Sequence, residues 1–195
     1  MQYGVVSSYH LEIKGIRKGY NNVLEPTIRI FRKVVKFYIH LISENWDVLG
    51  ACKAKQYILL AEKMSHCTKS NPMPQYDFDT QFYKMPCYLR RSAISSAFGI
   101  CSSHFSNYAN WEKHKQGRAP QLQYNHNLMP SFYYDNMFVG DCFSEAGRIK
   151  IYNGTDWVWY PVRFRTQDVK YLQKYWSGNH ASAPTLTYSH GKYGL

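Results

Sequence analysis

The chain has 195 residues, enough for one full core or two small ones, and its 24 Lys and Arg against 13 Asp and Glu give a formal charge of +11. That imbalance favours a polyanionic partner, nucleic acid or an anionic membrane surface, and the 18 Tyr, 10 Phe and 5 Trp favour nucleic acid, because guanidinium groups pair phosphates while rings stack on bases. Cys52, Cys67, Cys87, Cys101 and Cys142 are scattered without a Cys-x-x-Cys pair, which argues against a disulfide framework or zinc site, and no apolar run approaches the ~20 residues that span a bilayer; a cytoplasmic protein with no membrane partner and no cofactor is expected.

In the first segment Tyr9, Leu11 and Ile13 alternate with His10, Glu12 and Lys14, the pattern of a strand with one buried face. Gly15 and Arg17-Lys18-Gly19 are expected to end it. From Pro26 to about Leu49 the period lengthens. Phe31, Val34, Val35, Tyr38, Leu41, Ile42 and Leu49 form a helical stripe, with Arg29, Arg32, Lys33 and Lys36 mostly outside it. Gly50 separates this helix from a shorter one, about Cys52 to His66. Pro72, Pro74 and Pro86 keep residues 67–86 from forming a regular helix. There Asp77 and Asp79 read as surface carboxylates, and a short helix is expected over Phe78 to Lys84.

The longest periodic stretch starts at Tyr88. Ile94, Ala97, Phe98, Cys101, Phe105, Tyr108 and Trp111 recur at spacings of three and four, a helix whose stripe is expected to be core. Arg90 and Arg91 near its start oppose the helix dipole, so they face a partner or an acidic neighbour. Lys113, Lys115 and Arg118 come just after its end, and Gly117-Arg-Ala-Pro120 breaks the chain.

Beyond Gly147 the signal is β. Ile149 to Tyr152, a turn at Asn153-Gly154, and Trp157 to Arg165 read as strand, turn and strand. Val158, Tyr160, Val162 and Phe164 form a core face of the second strand. Its other face carries Trp157, Trp159, Arg163 and Arg165, which suits either stacking and phosphate contact or packing with the arginines reaching outward. Pro161 places this strand at an edge. Thr166 is expected to cap a helix from Gln167 to Trp176, and Thr185 to Tyr188 resumes a strand. Strands flanking helices give an α+β fold: a small β module, residues 1–20 and 120–195, interrupted by a helical lobe, residues 21–119.

No catalytic constellation stands out. The zincin, Walker A, dinucleotide and Gly-x-Ser-x-Gly patterns are missing. Asp135, Asp141 and Glu145 are the densest acidic set, the basis of an alternative reading as a small metal-dependent nuclease. Cys101 and His104 share a helix face, where a core thiol beside a satisfied histidine is the simpler reading.

Three stretches together resemble the N-terminal half of TnpB-type proteins, the transposon-encoded RNA-guided nucleases related to compact type V CRISPR effectors. They are the opening strand with Phe31-Arg-Lys-Val-Val-Lys-Phe-Tyr38; Tyr88-Leu-Arg-Arg-Ser-Ala-Ile94 with Gly117-Arg-Ala-Pro120 and Phe132; and Arg148-Ile-Lys-Ile151 through Val162-Arg-Phe164 to Pro184-Thr-Leu-Thr-Tyr188. The resemblance implies a β-barrel-like wedge domain interrupted by a helical recognition domain, binding a guide RNA scaffold and double-stranded target DNA. It implies backbone contact by Arg32, Lys36, Arg90 and Arg91, and it makes Tyr88 and the Trp157 to Arg165 strand candidates for stacking or RNA contact. The RuvC-type carboxylates and four-cysteine element of those nucleases have no counterpart here. A binding module without a catalytic centre is therefore expected, served by a separate nuclease module; the alternative is an inert, truncated remnant.

Overall fold

The computed structural model describes residues 8–17, 22–140, 144–176 and 182–195. In chain order the elements are β1 (Glu12–Arg17), α1 (Glu25–Glu44), α2 (Trp46–Leu49), α3 (Gln56–Ser65), α4 (Cys87–His114), β2 (Phe138–Gly140), β3 (Ala146–Tyr152), β4 (Trp157–Arg163), α5 (Thr166–Tyr175), β5 (Thr187–Ser189) and β6 (Lys192–Gly194). They fall into two compact units, Met1–Thr27 with Ser131–Leu195, and Ile28–Pro130.

The first unit is built on strands. The barrel implied by the resemblance is absent: the described strands form two three-stranded antiparallel sheets, β1-β6-β5 and β2-β3-β4, and neither closes on itself. Strand length is the physical reason. β2, β5 and β6 have only three residues each, whereas closure needs a continuous set of tilted, staggered strands. The fold is α+β with open sheets.

β1 does not end at Gly15, which sits inside the strand at φ +81 and marks an irregular register with β6. The end of β4 meets β1 through an isolated bridge between Ile13 and Phe164 and an Arg165 N–H donated to the Glu12 carbonyl at 2.9 Å. Leu11, Ile13, Phe132, Phe138, Ile149, Ile151, Val162, Phe164 and Leu186 are buried in this unit. Thr166 is not the cap of α5. Arg165 holds that position without a side-chain bond, and the Thr166 hydroxyl accepts from Lys14 Nζ at 3.1 Å. Asp168 in the first turn instead accepts the Glu12 N–H at 3.1 Å and the Tyr9 hydroxyl at 3.2 Å. Burial, then this carboxylate, raises the Tyr9 pKa.

β3 and β4 form the longest ladder, from Ala146 opposite Arg163 to Tyr152 opposite Trp157. Their connection is closed by Asn153, whose side-chain oxygen accepts from the Thr155 and Asp156 N–H groups at 3.0 and 2.9 Å. An Asn side chain that mimics a backbone turn in this way is a common loop device. Gly154 adopts φ +107 there.

The second unit is helical. Phe31, Val34, Val35, Tyr38, Leu41 and Ile42 on α1 are all buried, as their spacing requires. α1 ends five residues before Leu49 because Asn45 turns its amide back to the Leu41 carbonyl and to the Tyr76 hydroxyl, each at 2.8 Å. Phe78 to Lys84 is a set of turns rather than a helix. Phe78 and Phe82 are nevertheless buried there, their rings 5.4 and 5.8 Å from Phe37. Asp79 is not a bare surface carboxylate, since it pairs with His66 Nδ1 at 2.7 Å and accepts the Cys67 N–H at 2.7 Å.

α4 is long, 28 residues, and divides in two. Leu89 to Cys101 supplies its buried positions, and beyond Cys101 none of its residues is buried. The expectation that the whole stripe is core holds for Ile94, Ala97 and Cys101 only. Tyr108 is 38% exposed and Phe105 and Trp111 are half-buried.

Candidate nucleic-acid interface

The antiparallel register of β3 and β4 gathers cations and rings on one face. Lys150 lies directly opposite Trp159, Arg148 opposite Pro161, Ala146 opposite Arg163 and Tyr152 opposite Trp157. Side chains alternate across a sheet, so these share the face away from Ile149, Ile151 and Val162, which are buried. Arg148 Cζ and Lys150 Nζ stand 6.0 and 5.8 Å from the Trp159 ring centroid. That is cation–π distance, worth about 0.5–1 kcal/mol each at an exposed site. Trp159 is itself 38% exposed, and Arg148 and Arg163 are exposed beside it.

Trp157 is placed differently. It is half-buried, its ring 5.4 Å from Tyr152, and its indole N–H is buried without a hydrogen-bond partner among the described residues. Arg165 lies beyond the ladder. Its guanidinium bonds Gln167 at 2.5 Å and lies 3.7 and 4.0 Å from the Glu12 and Asp168 carboxylates, so it serves the β1–α5 junction. Of the residues singled out on this strand, Trp159 and Arg163 form the open face. Arg148 and Lys150 complete it, and pairing the strands across Asn153-Gly154 would have found them.

Arg90, which the resemblance makes a backbone contact, lies inside the helical unit. It is 6% exposed, and its Nε and Nη2 donate to Glu62 Oε1 at 3.1 and 3.0 Å. Arg91 donates through Nε and Nη2 to Glu62 Oε2, both at 3.1 Å. Those hydrogen bonds, with the carboxylate charge, raise the Arg91 pKa further. The acidic neighbour of this arginine pair is thus Glu62, a residue that no local pattern singles out. Arg32 is half-buried, donating from Nε to the Leu128 carbonyl at 3.0 Å while its own carbonyl accepts the Tyr124 hydroxyl at 2.9 Å. Lys36 is exposed on α1, and Tyr88 is exposed in the first turn of α4. Lys113, Lys115 and Arg118 are all exposed, Lys115 capping α4 in the left-handed conformation at φ 48.

The acidic set is only partly described. Asp135 and Glu145 are exposed, Asp141 lies outside the described residues, and no group of three His, Cys, Asp or Glu among the described residues is arranged to hold a metal ion. Cys101 is buried, and burial pushes its thiol up to about 11. His104 stacks edgewise on Phe105 rather than engaging that thiol. No helix among the described residues is long and apolar enough to cross a membrane.

Fold and face together define a basic, two-unit α+β protein with an open aromatic and cationic hairpin. The model of the Aq_aa04 family matches residues 7–153, and the chain belongs to that family. It is similar to an uncharacterized protein, aq_aa04, of Aquifex aeolicus (strain VF5), 28% identical over an alignment 113 residues long that covers 52% of this chain and 63% of the relative. The chain therefore spans less than two thirds of the length of the relative it matches. No solved structure matches it.

Proposed function

We propose that this chain binds nucleic acid, RNA foremost, through the outer face of the β3–β4 hairpin. The carrying observation is Trp159 flanked by Arg148 and Lys150 on an exposed strand face. A part-exposed indole can stack on an unpaired base, and the cations at its ring can meet the flanking phosphates. The formal charge of +11 supplies the long-range attraction. No cleavage step is assigned to this chain.

The motif resemblance supplies the finer form of the proposal. The RNA is then a guide scaffold, double-stranded DNA is the second ligand, a separate nuclease module does the cutting, and the complex works in the cytoplasm. Sequencing the RNA that co-purifies at mild salt tests that form. One discrete protected species is expected, and a heterogeneous pool sinks it.

The binding itself is tested with a chain carrying Arg148→Gln, Lys150→Gln and Trp159→Ala. Losing one stacked base costs about 1–3 kcal/mol, and losing two phosphate contacts lowers the salt slope by about 1.4. Unchanged affinity and slope would remove the hairpin from the interface.

A further inference from the structure

Among the described residues of its own unit, the end of α4 is packed only lightly. At 1.5 Å per residue its 28 residues run about 42 Å, yet nothing after Cys101 is buried. This part is also a weak helix by composition. Ser102, Ser103, Ser106, Asn107 and Asn110 compete with the backbone for hydrogen bonds and disfavour helix interiors. Short helices without tertiary packing are marginal in water.

Ring contacts hold this end instead. Phe105 stacks on Trp46 at 4.6 Å, His104 lies 6.2 Å from Tyr108, and Tyr108 lies 5.4 Å from Trp111. The Trp111 indole donates to the Gly117 carbonyl at 3.2 Å and folds the adjoining loop back on the helix. Lys113 in the last turn of α4 and Lys115 and Arg118 after it, all exposed, lie at the end of the aromatic stripe. Asn107, four residues before Trp111 and so on the face of that ring, is exposed as well.

We infer that the end of α4 is a second docking surface, and that its occupant is single-stranded RNA. Tyr108 and Trp111 offer rings for unpaired bases. Lys113, Lys115 and Arg118 complement phosphates, with Glu112 the one acidic residue among residues 108–118. The Asn107 and Asn110 amides suit a ribose 2′-hydroxyl, which deoxyribose lacks. An acidic protein would satisfy the lysines but leave the rings without stacking partners. This surface extends the nucleic-acid reading and does not depend on the hairpin.

The test compares binding of a fluorescent oligouridine of about a dozen nucleotides by four folded proteins across a salt series. They are the wild type, the triple hairpin variant, Lys113→Gln/Lys115→Gln/Arg118→Gln, and the combination. The lysine and arginine changes are at exposed positions, and a Tyr108→Ala variant reads the rings separately. The charge variant is expected to lower the salt slope by about 2, from about 0.7 per single-strand contact. Tyr108→Ala is expected to weaken binding about tenfold at unchanged slope, and both effects should persist in the hairpin background. A charge variant that binds as wild type overturns the inference and leaves the hairpin reading standing. A hairpin variant that binds as wild type does the reverse. Two further results would also overturn it: equal affinity for the matching deoxy-oligonucleotide, or a dimer in solution that Tyr108→Ala abolishes.

Discussion

Arg90 on α4 gives its guanidinium to Glu62 on α3, two N–H groups converging on one carboxylate oxygen at 3.1 and 3.0 Å. Their side chains are only 8% and 12% exposed. Breaking such a pair from one side strands a buried charge, which costs about 3–5 kcal/mol. Glu62→Gln should therefore be strongly destabilised in urea. Arg91→Ala should lose no more than about 1 kcal/mol, because that side chain is 39% exposed and water screens its pair. Two variants of equal midpoint would show that Glu62 does not serve Arg90 in particular.

Stability should fall in alkali. Burial raises the Cys101 thiol from its ordinary 9.0 to about 11. It raises the Tyr38 hydroxyl well above the usual tyrosine range as well. The folded chain keeps these protons after the unfolded chain has released them, so the contribution is complete below pH 9 and shrinks as pH rises. Cys101 acts between about pH 9 and 11, and Tyr38 above pH 10. Urea midpoints of Cys101→Ala should decline less steeply than wild type between pH 9 and 11. Parallel curves would remove the thiol from the linkage.

Gly140 faces Gly147 where β2 and β3 part. A Cβ at Gly140 would lie 3.0 Å from the Gly147 Cα, in a backbone of φ +144. The obstacle is main chain, which cannot swing aside. Gly140→Ala should lose about 1–3 kcal/mol, whereas Gly117→Ala meets no atom within 4 Å and carries only its own strain at φ +73. Thermal unfolding of the two variants separates the effects; equal shifts would leave backbone strain as the whole cause.

The parts legible from sequence were those whose period is set by one local element. The α1 stripe from Phe31 to Ile42 was readable because every member is buried. The β3–β4 pairing was readable from alternation around Asn153-Gly154, but of the core face expected on β4 only Val162 and Phe164 are buried; Val158 is 37% exposed and Tyr160 half-buried. The stripe on α4 shows the limit of such reading. Period says which face would be covered if a partner were present, and says nothing of whether one is, so Phe105, Tyr108 and Trp111 look identical in sequence to core residues. Glu62 and Arg90 are paired across 28 positions, beyond the reach of any helical spacing. β6, Lys192–Gly194, is too short to alternate visibly and is held by its neighbours, β1 and β5. The barrel came from likeness to a family rather than from residues, and the short strands do not build one.

The Asn153 turn decides more than where a loop bends. By holding residues 153–156 as the connection, it seats Tyr152 opposite Trp157 and thereby every pair up to Ala146 and Arg163. Because side chains alternate strictly, a slip of one residue along β3 would turn Arg148 and Lys150 towards the interior and Ile149 and Ile151 to water. A misfolded hairpin of that kind would have the same composition and the same net charge, with its electrostatic polarity inverted through the sheet. One asparagine side chain thus works as a proofreading device for a charged surface several residues away.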